Sequence, residues 1–90
     1  MGYEESDGAQ LGRLVAGWRK RASLSQTALA DVLGTQQATV SKLESGAYKL
    51  SVWQLACILH ACGLTFADVA SELDGAFRAD ARPIWERVNE

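Results

Sequence analysis

The sequence predicts an all-α fold of five short helices followed by a C-terminal tail, on three observations. Apolar residues recur at helical spacing along the chain. No alternating run of β-branched residues is bounded by hairpin turns. The single proline is Pro83, so upstream of it only glycines and polar caps interrupt helices. At 90 residues there is room for one small hydrophobic core, and 48% hydrophobic with 22% charged residues is globular rather than disordered composition.

Each element follows from local chemistry. Leu11, Leu14, Val15 and Trp18 stand at i, i+3, i+4 and i+7, one stripe of a first helix. That helix closes on Arg19, Lys20 and Arg21, where cations suit its C-terminal end. Ser25 caps a second helix over about 26–33, with Leu29, Ala30 and Leu33 inward and Gly34 to stop it. Thr35 is the expected cap of a third helix over about 36–45, with Val40 and Leu43 inward and Gly46 at its end. Ser51 and Gln54 have capping-box spacing for a fourth, whose inner face is Val52, Leu55, Ala56, Ile58, Leu59 and Cys62, ending at Gly63. Thr65 and Asp68 repeat that spacing for a fifth, carrying Phe66, Val69 and Leu73, with Asp74-Gly75 closing the packed part. The organisation is an acidic segment over 1–8, a domain over 9–74 and a tail over 75–90. In the tail, Ile84, Trp85 and Val88 have short helical spacing.

Several function classes are excluded. No apolar run approaches the roughly 20 residues that cross a bilayer, and Met1 to Gly8 lacks the basic and apolar stretches of a signal peptide, so a cytoplasmic protein is expected. Cys57, His60 and Cys62 fall on one helix without the paired spacing of a zinc site, so no metal is expected. One histidine, no Gly-rich phosphate loop and no oxyanion donor beside a cysteine argue against an enzyme and against a cofactor.

The informative stretch is Gln26 to Ser45. Gly34-Thr35 is too short for anything but a sharp turn between two helices, and Ala30 falls where they approach most closely, the spacing of a helix-turn-helix. With Val40 and Leu43 inward, the second of these helices presents Gln37, Ala38, Ser41 and Lys42 outward and no acidic side chain. Such residues suit base edges: glutamine for adenine, lysine for guanine or phosphate, alanine for a thymine methyl.

The runs Leu24-Ser25-Gln26-Thr27-Ala28-Leu29-Ala30, Leu33-Gly34-Thr35-Gln36-Gln37 and Val40-Ser41-Lys42-Leu43-Glu44-Ser45-Gly46 resemble the Cro/CI-type helix-turn-helix family of phage repressors and xenobiotic-response-element regulators. The resemblance covers roughly residues 10 to 73. It implies a lambda-repressor-like, five-helix DNA-binding domain. It also implies base reading by Gln37, Ala38, Ser41 and Lys42, and a phosphate anchor at Gln26, with the 46–49 loop touching the backbone. A structural ion pair between Arg19 and Glu44 is implied as well. Further phosphate contacts are expected from Thr35, Gln36 and Lys49, with general attraction from Arg13, Lys20 and Arg21. The family often has glycine where Ser23 stands and proline where Leu50 stands. Tyr48 reads equally well as a backbone contact or as packing on its own domain.

The expected partners are double-stranded DNA and a second copy of the chain on a palindrome. The dimer face is expected on Phe66, Val69, Leu73, Phe77, Ile84, Trp85 and Val88, which are more apolar surface than so small a domain readily buries. The alternatives are an antitoxin whose tail binds its toxin, a restriction–modification controller, which the length also fits, and an adaptor that keeps the fold but has lost DNA binding.

Charge resolves along the chain. The formal net charge of −2 suggests no nucleic-acid partner. Yet residues 1–8 carry Glu4, Glu5 and Asp7, a net −3, and residues 51–90 likewise sum to −3. Residues 9–50 set six basic side chains against Asp31 and Glu44, a net +4 on the helix-turn-helix half.

Overall fold

A computed structural model describes residues 7–78. They form α1 (Asp7–Arg21), α2 (Gln26–Leu33), α3 (Gln37–Ser45), α4 (Val52–Ala61) and α5 (Phe66–Arg78), with no strand among them. No helix among the described residues is long and apolar enough to cross a membrane. Helix α1 packs on α3 and α5, and α2 packs on α3 and α4. Val15, Trp18, Leu43, Leu55, Ile58, Leu59 and Val69 form the main core, and Leu29, Ala30 and Val40 a second. Leu33 and Cys62 touch both and join them.

The tightest approach in the fold is at Gly12. A Cβ there would lie 2.6 Å from the Leu43 carbonyl oxygen and 2.4 Å from that of Glu44. Only a residue without a side chain lets α1 cross the end of α3 this closely. Trp18 is fully buried, and its indole Nε1–H donates to Glu72 Oε1 at 2.8 Å, which satisfies its one donor and ties α1 to α5.

The caps at Ser25, Ser51 and Thr65 form through their side-chain oxygens, and Gln54 and Asp68 in turn accept from the Ser51 and Thr65 backbone N–H groups. Gly34 and Gly46 take left-handed conformations that close α2 and α3. Ser23 does the same for α1 at φ 61°, where the family favours glycine. Ser23→Gly removes the clash between Cβ and backbone while adding unfolded-state entropy. It is expected to raise stability by about 0.5–1 kcal/mol in a urea titration, with no other change.

Three expectations are corrected. Thr35 does not cap α3, because its N–H donates to the Ala30 carbonyl at 2.9 Å and so belongs to the closure of α2; the N-cap is Gln36. Val52 is not on the inner face: it is the first residue of α4 and 75% exposed, the inward stripe beginning a turn later at Leu55. Among the described side chains the last to pack against the core is Leu73, just before Asp74-Gly75, but the helix does not stop there. Helix α5 runs through it to Arg78, because one glycine in helical conformation costs only about 1 kcal/mol against alanine. Val69 is 1% exposed and part of the core, so it cannot form a dimer face.

Candidate nucleic-acid interface

The outer face of α3 is built by its inner one. Val40 and Leu43 are buried, which turns Gln37, Ala38, Ser41 and Lys42 to solvent, and all four are exposed. Because α3 is only nine residues long, its aim depends on what holds its two ends.

The C-terminal end is held by Glu44. Its carboxylate accepts from Arg19 Nε on one oxygen and from Arg19 Nη2 at 3.1 Å on the other. The same guanidinium donates through Nη1 to the Leu24 carbonyl at 2.9 Å, so one arginine secures α3 and the turn before α2. Both side chains are nearly buried, at 11% and 9% exposure. The hydrogen bond to Glu44 raises the Arg19 pKa above its ordinary value, against burial. Burial alone would push the Glu44 carboxyl up, but hydrogen bonds from Arg19 and Gln26 and the charges of Arg19 and Lys20 outweigh it and hold it below its ordinary value.

A chain of hydrogen bonds runs outward from that carboxylate. Gln26 Nε2 donates to Glu44 Oε1 at 2.9 Å, and Gln37 Nε2 donates to Gln26 Oε1 at 2.6 Å. An ionised carboxylate only accepts, so Gln26 must turn its NH2 inward and its oxygen toward Gln37. Gln37 must then donate to that oxygen. Its own Oε1 and its second N–H stay unused by the chain, and that acceptor–donor pair matches the N6 and N7 edge of adenine. One buried charge thus sets the polarity of an exposed amide two side chains away.

The remaining expected contacts are spread around this face. Gln36 and Lys49 are exposed, at the start of α3 and in the loop after it, and Thr35 is half-buried. The N-terminus of α3 has no side-chain cap, whereas at α2 Ser25 Oγ already takes the Ala28 N–H. Lys20 and Arg13 are exposed on α1. Arg21 is exposed too but donates through Nη2 to Glu72 at 3.0 Å, so its charge is partly offset at the α1–α5 junction. The Tyr48 hydroxyl accepts from Gln54 Nε2 at 3.1 Å, which holds the loop to α4.

Of the expected dimer face, Phe66 is 42% exposed and Leu73 packs partly against the core. The side chain of Phe77 and the whole of Ile84, Trp85 and Val88 lie outside the described residues. Cys57 and His60 face an outer groove, whereas Cys62 packs against the core, its thiol pushed up by burial. Among the described residues no three His, Cys, Asp or Glu side chains gather as a metal site would need.

Sequence reasoning missed Gly12, Glu72 and the Glu44–Gln26–Gln37 chain. Gly12 had a signal: it stands seven residues before Arg19, on the face that turns to α3. Glu72 had none, since only the fold brings it to Trp18.

Fold and site define a helix-turn-helix DNA-binding domain. The chain belongs to the helix-turn-helix domain family, whose model matches residues 10–73. Among solved structures it is similar to the clp gene regulator ClgR from Corynebacterium glutamicum, at 28% identity and a TM-score of 0.73 over 84% of this chain and 97% of that one. It is also similar to hydroxypropylphosphonic acid epoxidase from S. wedmorenis, at 25% identity and a TM-score of 0.64. That likeness covers 73% of this chain but only 35% of the epoxidase chain. No curated protein sequence matches.

Proposed function

We propose that the protein is a sequence-specific transcriptional regulator that represses by binding a palindromic operator as a homodimer. The observation that carries this is the exposed Gln37 amide, oriented by Gln26 and Glu44 at the start of a helix whose outward side chains include no acid. Helix α3 enters the major groove; Gln37 takes an adenine, Ala38 a thymine methyl, and Ser41 and Lys42 the base edges further along. Gln26 keeps a second N–H for a phosphate while its first holds Glu44. Gln36, Lys49 and the uncapped N-terminus of α3 add phosphate contacts, and Arg13 and Lys20 long-range attraction. The likeness to a gene regulator over almost its whole length supports the regulatory role.

Selection of bound sites from random duplex DNA tests this. The expected product is a palindrome whose half-site centres lie about 10 bp apart; no enrichment over the starting pool contradicts it. On the selected site, Lys49→Ala is expected to weaken binding about equally for all sequences and to lower the salt dependence by about one counterion.

A further inference from the structure

We infer that the outer face of α4, rather than α5, is the self-association surface, and that it seats a second copy of this chain in an antiparallel two-fold contact. Trp53, Ala56, Cys57 and His60 stand at i, i+3, i+4 and i+7 on α4 and line a groove of about 430 Å³ that Val32 and Leu33 of α2 help close. Trp53 is 78% exposed, Val52 75% and Val32 62%. No Asp, Glu, Lys or Arg lines the groove. A contiguous apolar patch of this kind on a small domain marks a protein-binding surface. Among its described side chains helix α5 has less to offer, since Val69 is buried and Leu73 half-packed, leaving Phe66.

The pattern on α4 selects its occupant. A two-fold axis between Ala56 and Cys57 sets Trp53 of each copy over His60 of the other, and Ala56 over Cys57. The two small side chains at the centre let the helices approach to about 8 Å, and the rings at the ends fill the space beside Val32. The face can therefore meet a copy of itself in register, large side chains at the ends and small ones at the centre. It also carries no Asp, Glu, Lys or Arg: a partner bringing such a side chain would bury it against a groove with no counter-charge, and a second copy brings none. Helix α4 is about 15 Å long, so the contact falls at the small end of specific interfaces and gives a reversible, micromolar dimer. Gln37, Ala38, Ser41 and Lys42 line no part of the groove, so the contact leaves them exposed. The inference deepens the homodimer part of the proposed function and uses none of the base contacts.

Sedimentation equilibrium on the full chain without DNA tests it. The wild type is expected to dimerise reversibly in the micromolar range. Trp53→Lys, at an exposed position and checked for fold by circular dichroism, is expected to weaken the dimer about 30-fold; Phe66→Lys is expected to leave it unchanged. In a Cys62→Ser background a short bismaleimide is expected to link Cys57 to its copy. A chain that stays monomeric at several hundred micromolar overturns the inference. So does a dimer that survives Trp53→Lys, one that Phe66→Lys dissolves, or a Cys57 that does not cross-link. Loss of all DNA binding in a variant that still dimerises counts against the regulator reading and leaves this interface standing.

Discussion

Glu44→Ala is expected to destabilise the domain by about 3–5 kcal/mol, the cost of leaving one member of a buried ion pair alone. The magnitude follows from position: Arg19 keeps its charge with 11% exposure and loses its main acceptor, while Gln26 loses the anchor of its amide. A small domain has only about 5–15 kcal/mol in total, so the variant should unfold at much lower urea than the wild type. Replacing both partners by apolar residues, Arg19→Met with Glu44→Leu, is expected to cost far less, because no unpaired charge remains. An equal loss in the single and double variants would show that packing volume, not charge, is what matters there. Acidification probes the same pair. Because the folded Glu44 carboxyl titrates below its ordinary value of 4.5, its contribution is complete above that value and is lost as pH falls through the folded-state value. Stability of the wild type should therefore fall below about pH 4.5, and that of Glu44→Gln should fall less steeply.

Gly12→Ala is the other large effect. A methyl group at this position would stand 2.4 and 2.6 Å from two carbonyl oxygens. Both are backbone atoms near the end of α3, so neither can swing aside; α1 and α3 must separate or tilt. The expected loss is about 3 kcal/mol, at the upper end of overpacking costs. Since α3 is what α1 braces, DNA affinity should fall with stability. Gly17→Ala is the control, because nothing lies within 4 Å of a Cβ there; it should stabilise slightly through helix propensity. A Gly12→Ala variant as stable as the Gly17→Ala one would show that the helices have room to move.

Most of the architecture is legible in the sequence because it is written in local chemistry. Ser25, Ser51 and Thr65 start helices by bonding amides three residues ahead, and Gly34 closes α2 through a conformation few other residues accept. The errors have a common cause. Thr35 is a good capping residue by type, but its amide is committed to α2. Val52 continues an apolar stripe beyond the edge of the core. Each depends on what lies opposite, which spacing along one helix does not contain. The same holds at the site. Exposure of Gln37, Ala38, Ser41 and Lys42 follows from the burial of Val40 and Leu43, whereas the orientation of Gln37 arises from three helices meeting at Glu44.

The central claim is that Gln37, aimed by that chain, reads a base. Its most direct test is the affinity of wild type and Gln37→Ala for the selected operator and for a copy with one A·T pair per half-site changed to G·C. The wild type should lose about 1–3 kcal/mol per contacted pair on the altered site, and Gln37→Ala should bind both sites equally, at the weaker level. If Gln37→Ala keeps the full wild-type preference at every position of the half-site, Gln37 does not read the DNA and the account is wrong.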